Sequence, residues 1–107
     1  MSAVSAYIVC ASQHEAQTIA TALVEEGLAA CVNILGPVSS IYRWQGKVGR
    51  ADEVAMIAKT TLAAADALII RVTELHSYDV PAITVWPILK LPAEYGDWIE
   101  ENVRETR

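Results

Sequence analysis

The chain has 107 residues and a mass of 11.6 kDa, is 53% hydrophobic and 20% charged, and has a mean hydropathy of +0.29. Those values suit one domain over residues 1–107, leave no room for two, and exclude an intrinsically disordered chain. The net charge of −5 and pI of about 4.9 leave no basic stripe for phosphates and argue against a nucleic-acid partner.

The first element is the apolar run Ala6-Tyr7-Ile8-Val9-Cys10-Ala11, which predicts a buried central strand. Ser12-Gln13-His14-Glu15 matches the S-x-x-E capping box, so a helix starts there. Ala16, Ile19, Ala20, Leu23 and Val24 give that helix one apolar face, and Gly27 ends it as a left-handed cap. Ala29 to Trp44 is rich in β-formers, and Pro37 predicts an edge strand bent by a bulge. Gln45-Gly46 is the turn of a hairpin whose return strand passes through Lys47-Val48 and Glu53 to Lys59. The long arms predict a tip that projects beyond the domain body.

Thr60 or Thr61 can cap a second helix, with Leu62, Ala65, Ile69, Val72 and Leu75 or His76 along its inner stripe, widened by Leu68 and Ile70. His76-Ser77-Tyr78-Asp79 forms a polar turn, and Ile83-Thr84-Val85-Trp86 a fourth strand stopped by Pro87. Pro92 opens a last helix whose inward face is Tyr95, Trp98, Ile99 and Val103. Right-handed crossovers then give an α+β, ferredoxin-like sandwich: βαββαβ plus a C-terminal helix, a four-stranded antiparallel sheet with both long helices on one face. The other face and the sheet edge call for a partner. A domain this small buries only about 60–70% of its unfolded surface alone, which also favours association.

The N-terminus has no basic n-region, and no apolar run approaches the roughly 20 residues of a membrane span. The expectation is a cytoplasmic protein with no membrane partner. Two cysteines outside any C-x-x-C pair give neither a disulfide framework nor a zinc ribbon. Nucleophile-elbow, P-loop, dinucleotide and H-E-x-x-H motifs are absent, and no acid–base spacing favours an enzyme.

Cys31 is either a small buried hydrophobe or a soft ligand for copper(I) or another thiophilic metal. Cys10 lies beside a helix start, which lowers a thiol pKa, so of the two it is the candidate reactive or ligating sulfur, with structural packing the plain alternative. His76 at a helix end is favoured as an imidazolium, and imidazole is also a common metal ligand; His14 suits a solvated surface. With two histidines, a closed four-ligand site inside one subunit is not expected. Tyr42, Trp44, Tyr78, Trp86, Tyr95 and Trp98 can pack or line a ligand cleft, to which Lys59, Glu53 on the same sheet face, and Asp79 in the turn could supply charged groups. Packing, and a solvated Glu53–Lys59 pair, are the plain alternatives.

Leu28-Ala29-Ala30-Cys31-Val32-Asn33-Ile34, Ser40-Ile41-Tyr42-Arg43-Trp44-Gln45-Gly46-Lys47-Val48, Lys59-Thr60 and His76-Ser77-Tyr78-Asp79-Val80-Pro81 resemble the CutA1 family, the divalent-cation tolerance proteins. The resemblance covers nearly the whole chain. It implies a tight cytoplasmic homotrimer in which the hairpin crosses to a neighbour, and binding of copper or another divalent cation. It places Cys10 and His76 as metal ligands, and Cys31, Tyr42, Trp44, Gly46, Lys59, Tyr78 and Pro81 near a cleft between subunits. The family's H-P-Y-E turn reads His76-Ser77-Tyr78-Asp79 here, and the loop after the first strand lacks the family's proline. The family trimer also resembles the PII signalling proteins. That gives a second expectation, a trimer sensing a small ligand in the cleft of Trp44, Lys59 and Tyr78.

Overall fold

The computed structural model describes residues 2–104; Met1 and 105–107 of the expected 1–107 domain lie outside the described residues. The order is β1 (Ala3–Cys10), α1 (Gln13–Glu25), β2 (Cys31–Trp44), β3 (Lys47–Thr61), α2 (Leu62–Leu75), β4 (Ala82–Pro87) and α3 (Ala93–Glu101). The four strands form one antiparallel sheet in the order β2-β3-β1-β4. This is the expected ferredoxin-like α+β plan.

Local signals set the boundaries. The Ser12 hydroxyl accepts the Glu15 amide at 3.1 Å and caps α1. The reciprocal half of the capping box is displaced by one residue, because the Glu15 carboxylate accepts the amide of Ala11 at 2.8 Å and not that of Ser12. At the other end Gly27 has φ +74°, its amide bonds to Val24, and the Leu28 amide bonds to Leu23. That pair of bonds is a Schellman motif, which needs the left-handed residue glycine supplies. Thr61, not Thr60, caps α2; the buried Thr60 hydroxyl donates to the Leu28 carbonyl at 2.7 Å and ties β3 to the α1–β2 turn.

Gln45 and Gly46 both have positive φ, the signature of a type I′ turn that matches the twist of the hairpin arms. The bulge lies between Ile34 and Gly36, just before Pro37, on the edge strand as expected. β2 starts at Cys31 instead of Ala29, and β3 runs unbroken from Lys47 to Thr61.

Alternation sends Ala6, Ile8 and Cys10 of β1 and Val54, Met56 and Ala58 of β3 toward the helices. There they meet Ala16, Ile19 and Leu23 of α1 and Leu68 and Val72 of α2. The α2 stripe differs from the expected one. Ala65, Leu68 and Val72 are buried as expected and Ala64 joins them, whereas Ile70 is exposed and Leu62, in the first turn directly after the cap, is exposed too. Val24 of α1 also faces solvent. α3 lies across the end of the sheet, where Ile99 and Val103 pack on Ala3, Ala30 and Ala64. Trp98 is turned outward and stacks on Tyr95.

On the sheet face away from α1 and α2, Tyr7 and Trp86 stack at 5.5 Å. The hairpin tip leaves the body entirely: Ile41 is 68%, Val48 63% and Trp44 57% exposed. Residues 41–50 carry Arg43, Lys47 and Arg50 and no acidic residue, in a chain of net charge −5.

Candidate metal centre

β1, α1 and α2 converge at one end of the sheet. α2 begins beside Ala3, because Ala3 pairs with Thr61. Its 14 residues rise about 21 Å at 1.5 Å each, close to the length of β1. The helix therefore delivers His76 to the end of β1, where Cys10 stands and where Glu15 sits in the first turn of α1. The Cys10 sulfur, a Glu15 carboxylate oxygen and a His76 ring nitrogen all lie within 4.8 Å of one another.

Each of these groups already has work within the fold. The His76 ring is fully enclosed, and its Nε2 lies 2.8 Å from the Val9 carbonyl. Its Nδ1 accepts the Tyr78 amide at 3.1 Å. A carbonyl can only accept and a backbone N–H can only donate, so the proton is on Nε2 and the ring is the neutral Nε2–H tautomer. This corrects the expectation of an imidazolium facing the C-terminus of its own helix: the ring turns to β1, where it satisfies two backbone groups.

The Glu15 carboxylate accepts the Ala11 amide at 2.8 Å and the Ser77 amide at 2.9 Å, with Oε2 at 3.6 Å from His76 Nε2. Burial alone would raise its pKa; the hydrogen bonds from Ala11 and Ser77 outweigh burial and hold the carboxyl below its usual range.

Cys10 also departs from expectation. Its thiol is pushed up to about 12, first by burial and then by the negative charges of Glu15 and Glu53. The helix start that was expected to lower it is outweighed. A thiol so held is protonated at neutral pH and a poor nucleophile.

As donors, the three suit a transition-metal cation: sulfur, imidazole nitrogen and carboxylate oxygen, with a net negative charge beside them. Among the described residues no other group of three such side chains comes together. Glu15 is the member that sequence reasoning used only as a cap. The available signal was its place, five residues after Cys10 on the first turn of the helix that follows the same strand.

The second candidate set is dispersed. Trp44 pairs with Lys47 at the hairpin tip, and Tyr78 meets Glu53, its hydroxyl donating to Oε2 at 2.7 Å. Lys59 lies opposite Cys31 and Ser5 near the far end of β3. Six residues separate each level from the next, about 20 Å per step at 3.3–3.4 Å per residue. Within one chain Trp44, Lys59 and Tyr78 therefore share no cleft, and Glu53 takes Tyr78 and not Lys59 as its partner. The bond to Glu53, then burial, raises the Tyr78 pKa to about 12. Cys31 is half-buried on β2, with the Tyr95 hydroxyl 3.8 Å from its sulfur. His14 lies on the exposed side of α1, and Asp79 is exposed in the turn after α2.

The sequence profile of the CutA1 divalent ion tolerance protein matches residues 4–102. A divalent-cation tolerance protein CutA of Thermus thermophilus is 52% identical over 91 residues, covering 85% of this chain and 88% of that protein. One of Archaeoglobus fulgidus is 43% identical over 97 residues, covering 91% and 94%. The crystal structure of CutA1 from Oryza sativa superposes with a TM-score of 0.96 at 33% identity, covering 99% of this chain and 97% of that one. With profile, sequence and fold in agreement over almost its full length, the chain belongs to the CutA1 family of divalent-cation tolerance proteins.

Proposed function

We propose that this protein binds a transition-metal cation, copper or another divalent ion, through Cys10, Glu15 and His76, and takes part in the response to metal ions. The observation that carries it is the convergence of three chemically different metal donors within 4.8 Å at a strand end, in a member of a divalent-cation tolerance family. The binding is weak, because a cation must displace the thiol proton and the hydrogen bond of His76 to Val9. The role is binding, with no catalytic residue assigned.

Association into a homotrimer is part of the same proposal. The exposed apolar groups of the hairpin, its cluster of three cations and the β2 and β4 edges suit the surface of an acidic sister copy. Two free cysteines in place of a disulfide suit a reducing compartment, and support a cytoplasmic location. Among the described residues no helix is long and apolar enough to cross a membrane.

Isothermal titration with zinc(II) and with copper(I) under reducing conditions tests the assignment. Wild-type protein should bind one ion per chain, and Cys10→Ser or His76→Ala should weaken binding at least tenfold. Unchanged affinity in both variants would remove these residues from the site.

A further inference from the structure

We infer that cation binding at Cys10, Glu15 and His76 switches the His76 tautomer and thereby releases the 76–78 turn, uncoupling Tyr78 from Glu53. The inference rests on the proposed cation site and adds what that site controls.

A neutral imidazole carries one proton. In the structure that proton is on Nε2, donated to the Val9 carbonyl, while Nδ1 accepts the Tyr78 amide. Nε2 is the nitrogen that faces the cluster, 3.6 Å from Glu15 Oε2. For Nε2 to offer its lone pair to a cation, its proton must leave. The ring stays neutral only by taking a proton on Nδ1, and the Cys10 thiol proton goes to solvent as the sulfur becomes a ligand. Nδ1–H then faces the Tyr78 N–H, donor against donor, and that bond cannot persist. Glu15 ties the same turn to the cluster, its Oε1 accepting the Ser77 amide while its Oε2 faces His76 Nε2.

Two consecutive turn amides, Ser77 and Tyr78, thus depend on the same side chains that a cation recruits. Tyr78 carries the change outward. Its ring lies 4.8 Å from that of His76, and its hydroxyl reaches Glu53 on β3, at the base of the hairpin. Loss of the amide anchor moves the backbone that aims this phenol. A change at the buried cluster is therefore read at the surface, at the exposed Tyr78–Glu53 contact.

The two states differ in one bond that touches no donor atom, which gives a test through linkage. Tyr78–Glu53 belongs to the cation-free arrangement, so weakening it must favour the cation-bound one. Tyr78→Phe should tighten zinc(II) binding by about two- to tenfold, the worth of one hydrogen bond. In 15N-labelled wild-type protein, zinc(II) should move the His76 proton from Nε2 to Nδ1, seen in long-range 1H–15N spectra, and speed exchange of the Ser77 and Tyr78 amides at least tenfold. Zinc binding that depends on Cys10 and His76 but leaves the tautomer and both amides unchanged would overturn the coupling while keeping the site. An equal or weaker affinity in Tyr78→Phe would also overturn it. Absence of Cys10- and His76-dependent binding would end the site assignment, and this inference with it.

Discussion

At the Cys10 end of the sheet, two side chains, Glu15 and His76, satisfy four backbone groups drawn from β1, the α1 start and the turn after α2. At the hairpin tip, some 20 Å along β3 from Glu53 by strand rise, Ile41, Trp44 and Val48 stand in solvent, and Arg43 closes on the carbonyl of Gly46 within the tip itself. The first region is satisfied within one chain; the second leaves large apolar side chains in solvent. The proposed function therefore assigns stability and ligand chemistry to the one, and association to the other.

The largest expected effect separates the two directly. Ile41→Asp with Val48→Asp should reduce the mass seen by light scattering threefold, from a trimer to a single 11.6 kDa chain, and leave the far-ultraviolet circular dichroism unchanged. Wild-type protein that is already a single copy would break the comparison.

Truncation should sort the same way. Leu68→Ala, in the middle of the core, should cost about 2–5 kcal/mol by denaturant unfolding. Trp44→Ala, at the exposed tip, should cost less than about 0.5 kcal/mol in the dissociated background.

A smaller effect is expected for Glu15→Gln, which removes the charge that receives the amides of Ala11 and Ser77. It should destabilise the protein by about 1–3 kcal/mol at neutral pH. Because the folded carboxyl titrates below its ordinary value near 4.3, the unfolded chain takes up the proton first as pH falls. Wild-type stability should then drop on acidification below about pH 4.3, where that ordinary carboxyl value lies, and the gap to Glu15→Gln should narrow. A constant gap would show that Glu15 acts by shape and not by charge.

The difference between the regions also explains what could be read from sequence. Helix and turn boundaries at Ser12, Gly27, Thr61 and Gln45-Gly46 depend on neighbours within a few residues, so residue type alone exposes them. The bulge at Leu35 is legible for the same reason, through Gly36-Pro37. The backbone partners of Glu15 and His76 lie 62 and 67 residues away, so local position shows only a helix cap and a helix end, and His76 enters as a ligand candidate through its residue type. Cys10 shows how that fails: the helix start beside it is real, but burial, the nearby Glu15 and Glu53 from the distant β3 decide its pKa. Lys59 and Glu53 do share a sheet face, yet Tyr78, from a loop that sequence spacing cannot place, takes the carboxylate.

The most direct measurement is anomalous diffraction from crystals of the wild-type protein soaked in a zinc salt. The cation assignment predicts a peak at the zinc edge among the Cys10 sulfur, the Glu15 carboxylate and His76 Nε2. Bound zinc at other residues only, with His76 still on the Val9 carbonyl, would contradict it.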